Sequence, residues 1–580
     1  MNKKRLLVIA AIAAIAIAAA AFIFIRYSPG TDWEDYETYY GAGADETIVY
    51  VNGVLQEETA LTYGGELYIS YSLARSFDSK WYYSDEGLLL YTLADQTVSA
   101  AEGETAYSMD GSVYELGQEL ITIYNDTVYI SVDYIEALTG IYVSEHAGDE
   151  ESGLCGRLYI INDWGTYTQA AVKTGTQVRV LAGIKSEILT VAAEGDTVFV
   201  VDTVDEWTRV RTQDGFIGYV KTKCLTDIAE IELAASVSLP EYTASLYSGT
   251  VCMVWHQVFS ESDNSELSEL LSETSGINVV SPTWFSVTDN DGNISSLADA
   301  DYVTTAHSLG LEVWALVDDF DDGIDTETLL SSSAARANLI GQLMQAVLDY
   351  DLDGINIDFE SITEAGAIHF LQFIRELSVQ LRAAGKTLSV DNYVPSGGRS
   401  WYDLAAQAET VDYIVIMGYD EHYKGCCSGT NASISFCEQA IADSLEDVPA
   451  EKLIDGIPFF VRVWQETPAE NADEDATLYD DGNSVYDGLY ARDSTAVSML
   501  KAAALLEEHG AELTWDEELG QYYGEYEEDG STYRIWLEDV RSVTLKIQKV
   551  AEYGIAGAAF WKLGLEDPDV WDVISSTLFG

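Results

Sequence analysis

The sequence predicts a multidomain chain. It has an N-terminal transmembrane helix, a small α+β module, a small all-β barrel, and a C-terminal (β/α)8 barrel that carries a small α+β insertion. Three observations predict this. At 580 residues the chain is too long for one hydrophobic core. Residues 6–25 are uninterruptedly apolar behind Lys3, Lys4 and Arg5. After residue 245, short apolar strand candidates alternate with helical patterns, as a closed parallel barrel requires.

The apolar run is long enough to cross a bilayer at 1.5 Å rise per residue. The basic cluster ahead of it should stay cytoplasmic, which places everything after Arg26 outside the cell membrane. Residues 1–30 are therefore expected to be a cytoplasmic stub and an uncleaved anchor. A cleaved signal peptide is the rival, with Ala18 to Ala21 offering small residues to a peptidase.

Composition narrows the function classes. Against 98 Asp+Glu stand 29 Lys+Arg, a net charge of -69. No basic surface can be assembled from this, so nucleic acid is excluded as a partner. Spread along the chain, the charge suits solubility in a salty or crowded exterior. Cys155, Cys224, Cys252, Cys426, Cys427 and Cys437 form no Cys-x-x-Cys pair, and the six histidines are too scattered for a zinc site of the usual spacing. Neither an organic cofactor nor a metal is expected. One local disulfide among Cys426, Cys427 and Cys437 is left open.

Residues 31–168 read as short strands broken by Gly, Asp and Asn. Two stretches, 66–77 and 127–138, each carry Tyr-Ile-Ser on a strand pattern that runs into a short helical one, which suggests two similar halves. This module resembles the copper amine oxidase-like N-terminal domain of exported bacterial proteins. With no ligand cluster present, the resemblance implies a structural or wall-facing role and no redox chemistry. Residues 169–230 hold alternating strands at 176–181, 196–201 and 207–211, closed by a glycine-rich 214–220, as in a small β-barrel. They are similar to bacterial SH3-type domains, many of which hold cell-wall peptides or glycan. Trp207 is read as core.

Residues 245–580 supply eight strand candidates, at 251–255, 277–281, 311–317, 354–359, 388–393, 413–417, 453–457 and 556–561. Between the last two, Asp529-Gly530 marks a hairpin expected to wall a cleft. The fourth candidate is the informative one. On it Asn356, Asp358 and Glu360 share one face, while Ile355, Ile357 and Phe359 share the other. Two carboxylates and an amide on one buried face cost several kcal/mol unless hydrogen bonds or a shared proton relieve them.

The series Asp353-Gly354-Ile355-Asn356-Ile357-Asp358-Phe359-Glu360 resembles the strand signature of glycoside hydrolase family 18, the chitinase-like barrels. Asn356 stands where many members have Asp, a version familiar in the spore-cortex and cell-wall lytic N-acetylglucosaminidase branch. Residues 417–422, with Tyr419 and Asp420, resemble the sixth-strand segment of the family. Residues 456–464, with Arg462, resemble its seventh. Residues 533–539, with Trp536 and Glu538, resemble a rim segment of the lytic branch, and Trp561 the tryptophan under the sugar. The resemblance implies Glu360 as proton donor, with Asp358 and Tyr419 holding a substrate acetamide that acts as nucleophile. It implies Asp353, Asn356, Asp420, Arg462, Trp536, Glu538 and Trp561 as substrate-binding residues. The implied substrate is peptidoglycan, cut beside N-acetylglucosamine. Chitin, an N-glycan core and a non-catalytic glycan-binding wall protein are the alternatives.

Overall fold

The computed structural model describes residues 3–109, 111–395, 400–480 and 488–580. Met1 and Asn2, ahead of the basic cluster, lie outside the described residues. Lys3–Tyr27 is one helix, and its Val8–Tyr27 stretch is long and apolar enough to cross a membrane. The chain divides into two compact units, Met1–Trp81 with Ala100–Leu239, and Tyr82–Ser99 with Pro240–Gly580.

In the first unit the internal echo has a physical basis. Glu66–Ser70 and Thr127–Ser131 are strands that pair antiparallel with each other. Each ends on a serine that caps the following helix, Ser70 accepting from the Leu73 N–H and Ser131 from that of Tyr134. Both belong to a seven-stranded sheet in which Thr47–Val51 and Gly156–Ile161 run parallel. The second sheet of this unit, Gly165–Val172 to Leu225–Leu233, is antiparallel throughout. Trp207 is only 6% exposed there, with the Lys221 ammonium 5.5 Å from its ring.

In the second unit eight parallel strands close into a barrel. We label them β1 (Val251–His256), β2 (Val279–Val287), β3 (Glu312–Asp318), β4 (Gly354–Asp358), β5 (Thr387–Tyr393), β6 (Tyr413–Met417), β7 (Leu453–Pro458) and β8 (Gly557–Trp561). β1 pairs with both β2 and β8, which removes the sheet edges. Alternation along each strand divides the apolar residues into two cores. Met253, Trp255, Trp314, Leu316 and Val415 fill the barrel, while Val254, Val313, Ile355, Ile357 and Ile416 meet the surrounding helices.

Between β7 and β8 an antiparallel six-stranded sheet is inserted. Its hairpin, Gln521–Glu528 with Ser531–Leu537, turns at Asp529-Gly530, both at positive φ (49° and 79°). Tyr82–Ser99 packs on the barrel helices. The Tyr82 hydroxyl lies 2.6 Å from His369 Nδ1, Glu86 Oε1 accepts the Ser333 N–H at 2.8 Å, and Gln372 donates to Thr92 Oγ1 at 3.0 Å.

Candidate active site

The site is assembled at the C-terminal ends of the barrel strands. β4 presents Asn356 and Asp358 to the interior, and Glu360 follows just past its end. All bonding positions of Asn356 are used. Its Oδ1 accepts from Trp255 Nε1 (3.0 Å) and Ser281 Oγ (3.1 Å), while its Nδ2 donates to Ser389 Oγ (3.1 Å) and Asp391 Oδ1 (2.7 Å).

β4 and β5 are paired through Ile357 and Val390, so Asp358 and Asp391 fall side by side one residue further on. Both are buried. Asp358 Oδ1 has no hydrogen-bond partner among the described residues. Burial raises the Asp358 carboxyl well above the ordinary aspartate range, and Asp391 and Glu360 add to the effect. Asp391 is pushed up to about 8, chiefly by burial and against the hydrogen bond from Asn356. Two adjacent buried carboxyls ionise one at a time, so between them the pair keeps a proton near neutrality.

Glu360 is held from two sides. Its backbone N–H donates to Asp319 Oδ1 at 3.0 Å, and the Tyr393 hydroxyl donates to Glu360 Oε2. Tyr419, at the end of β6, is half-buried, and burial raises its hydroxyl well above the ordinary range, with Asp358 next in effect. Gly456 on β7 makes room for that ring, since a Cβ there would lie 3.3 Å from Tyr419 Cε1 and 2.8 Å from the Ile416 carbonyl oxygen. Arg462 is paired with Asp420 at 2.6 Å. Trp561 closes the floor, edge-on to Trp255 with ring centroids 5.7 Å apart. Asp358, Glu360, Tyr419, Asp420, Arg462 and Trp561 all line one cleft of about 960 Å³.

Three residues expected at the site are elsewhere. Asp353 precedes β4 and accepts hydrogen bonds from the Val313 N–H (2.9 Å) and His307 Nε2 (2.8 Å). Five residues of extended chain, about 16 Å, separate it from Asp358. Glu538 is 1% exposed, bonded to Gln521 of the inserted sheet and to Lys546 and Ser542 of the helix Val540–Tyr553 that leads into β8. Trp536 stacks at an angle on Tyr523. The cleft wall comes instead from Phe460, Arg462 and Ala496 of the neighbouring strands Phe460–Pro468 and Tyr490–Ser498. Asn356 lies beneath the cleft and acts on its neighbours.

Asp391, Tyr393, Asp319 and Lys562 were not anticipated. The signal for the first two was present, because Ser389, Asp391 and Tyr393 repeat at period two on β5 as Asn356 and Asp358 do on β4. Lys562 lines the cleft, donates to Gln257 Oε1 at 2.7 Å and has its ammonium pKa lowered by burial.

Residues 279–566 match the family described as Glycosyl hydrolases family 18, and residues 174–226 match the bacterial SH3 domain. YdhD of Bacillus subtilis (strain 168), provisionally named a sporulation-specific glycosylase, is 28% identical over 253 residues, covering 42% of this chain and 55% of that protein. The cortical fragment-lytic enzyme of Bacillus anthracis is 24% identical over 257 residues, covering 43% of this chain and 55% of that enzyme. The chain thus spans about half the length of these curated relatives. A solved C-terminal domain of a provisionally named chitinase from Desulfitobacterium hafniense DCB-2 shares the fold. It has a TM-score of 0.50 at 23% identity and covers 57% of this chain and all of that one. The resemblance of residues 31–168 to a copper amine oxidase-like domain finds no support among these matches.

Proposed function

We propose, from a barrel that is a family 18 glycosyl hydrolase domain, that this chain cleaves β-1,4 bonds beside N-acetylglucosamine in peptidoglycan, with retention, by substrate-assisted catalysis. The observation that carries the proposal is the convergence of Glu360, Asp358 and Tyr419 in one cleft above a tryptophan, with Asp391 buried beside Asp358.

Glu360 gives its proton to the glycosidic oxygen as the bond to the anomeric carbon breaks. The acetamido oxygen of the same sugar supplies the new bond to that carbon, forming an oxazolinium ring. While Asp391 keeps the shared proton, Asp358 is the carboxylate that accepts the acetamido N–H and balances the ring's positive charge. The Tyr419 hydroxyl donates to the acetamido oxygen. Water then opens the ring from the face the leaving group left, passing a proton to Glu360. The anomeric configuration is retained, and no second carboxylate nucleophile is needed.

The apolar helix and the SH3 domain support a wall-facing protein, held at the cell membrane with its barrel outside. Sequencing the N-terminus of the mature protein after cell fractionation tests the anchor. A soluble product beginning after residue 20 would refute it. Digestion of purified, N-acetylated peptidoglycan and of chitin oligomers tests the reaction. New N-acetylglucosamine reducing ends by mass spectrometry, first formed as the β-anomer by NMR, are expected. An initial α-anomer would overturn the mechanism. Cleavage of neither polymer by folded protein would favour a glycan-binding role.

A further inference from the structure

We propose that His422, Cys426 and Cys427 form a binding site for a thiophilic cation of the zinc class, on the loop that rims the cleft. Their spacing matches no familiar metal motif, so spacing alone does not reveal the site. The fold nevertheless brings one imidazole nitrogen and two sulfurs within 4.8 Å of one another. Cys427 Sγ is 3.3 Å from His422 Nδ1. A tetrahedral zinc ion with bonds of about 2.3 Å to sulfur and about 2.0 Å to nitrogen sets its ligands about 3.5 to 3.8 Å apart. The cluster therefore needs to shift by about 1 Å or less to close on such an ion.

The surroundings hold these groups in place. The imidazole lies against Gly429, where a Cβ would come within 2.4 Å of His422 Cδ2, so a larger residue would displace the ring. Gly429 is itself fixed by its carbonyl, which accepts from Trp464 Nε1 at 2.7 Å. Across the loop the Glu421 N–H donates to the Asn431 carbonyl at 3.0 Å. The Tyr423 N–H donates to Cys426 Sγ at 3.0 Å, the kind of bond that stabilises a metal-bound thiolate. The nearest lysine of the loop, Lys424, is occupied by Asp493 at 3.0 Å.

The chemistry balances. Two thiols release their protons on binding, and two thiolates with a neutral imidazole make a neutral site around a divalent ion. Three protein ligands leave a fourth position for water. Asp420, Glu421 and Tyr423 of the same loop line the cleft, so the ion would brace one cleft wall. This last consequence rests on the glycosidase reading, whereas ion binding does not.

The full chain, reduced and exchanged into one equivalent of Zn²⁺, tests the site by elemental mass spectrometry. Co²⁺ serves as the probe for thiolate-to-metal absorption. One bound ion per chain is expected, with alkylation blocked at Cys426 and Cys427 on peptide mapping. C426S and C427S should each lose the ion and the cobalt band, and H422A should weaken binding at least tenfold. C437S, altered at a buried cysteine outside the cluster, should bind one equivalent. If a serine variant misfolds, the alkylation map of the native chain still decides. Reduced protein that retains no zinc, a C426S/C427S double variant that retains it undiminished, or exported protein carrying a Cys426–Cys427 disulfide would each overturn the proposal. Chelation should raise KM on glycan several-fold with kcat little changed. If neither polymer is cleaved at all, the glycosidase reading fails while the zinc measurement stands by itself.

Discussion

Asn356 Nδ2 lies 2.7 Å from Asp391 Oδ1, joining the middle residue of the β4 series to a carboxyl on the neighbouring strand. With its remaining positions given to Trp255, Ser281 and Ser389, Asn356 has no N–H left for Asp358. Of the two ways to relieve a buried carboxyl on this face, a hydrogen bond from Asn356 is therefore not the one used for Asp358. Its Oδ1 is buried without a partner among the described residues, and Asp391 is the residue able to share its proton.

D391N should change the pH dependence of stability. Raised from 3.8 to about 8, Asp391 binds more proton folded than unfolded between those values. The stability its protonated form lends is whole below 3.8 and lost as the pH rises through about 8. The variant's melting temperature should fall less steeply across that window and exceed that of the wild type above it. Its turnover should fall about 10²-fold, the scale of a misplaced orienting group. Parallel melting curves for the two proteins would refute the shared proton.

Glu360 and Asp358 should be separable by leaving group. E360Q removes the proton and should cost about 10²–10⁴ in rate on glycan. Most of that loss should disappear on an aryl glycoside whose acidic phenol needs no proton. D358N should stay poor on both substrates, because forming the oxazolinium is still impaired. Equal rescue of the two variants by the phenol would contradict the assignment.

Y393F removes the hydroxyl that donates to Glu360 Oε2. A donated hydrogen bond favours the carboxylate, so its loss favours the acid. The limb of the rate profile on which activity falls with rising pH should move to higher pH, with the fold intact by circular dichroism. A shift to lower pH would show that the hydroxyl serves the protonated form.

W561A tests the floor of the cleft. The ring is half-exposed and lines the cleft, while Trp255 beneath it is 1% exposed. Oligosaccharide affinity should fall at least tenfold while the melting temperature drops by a few degrees. A large drop in melting temperature with affinity preserved would make the ring core packing.

The barrel was legible because its eight strands are short apolar runs that alternate with helical patterns, and packing against helices leaves that alternation in the sequence. The facing of Asp358 and Glu360 followed from period two alone. Which residues of neighbouring strands meet them is set by register, which motif spacing does not encode. Asp391 and Tyr393 therefore stayed hidden, although their alternation was visible. Asp353 and Glu538 show the converse. Membership of a recognisable segment placed them near the site, but one stands at the opposite end of its strand and the other is buried and neutralised by Lys546 of the helix Val540–Tyr553. His422 and Cys426-Cys427 meet through loop conformation, which leaves still less trace.

The position of Tyr82–Ser99 bears on how such a protein can be inherited. Its tyrosine, glutamate and threonine satisfy groups on two barrel helices, although about 140 residues of the first unit separate it from Pro240 along the chain. A recombination event that joined this barrel to a foreign leader at residue 240 would strip those partners from His369, Gln372 and the backbone at Ser333. The exchangeable cassette is therefore discontinuous in the gene, and descendants carrying the barrel should carry the eighteen-residue segment with it.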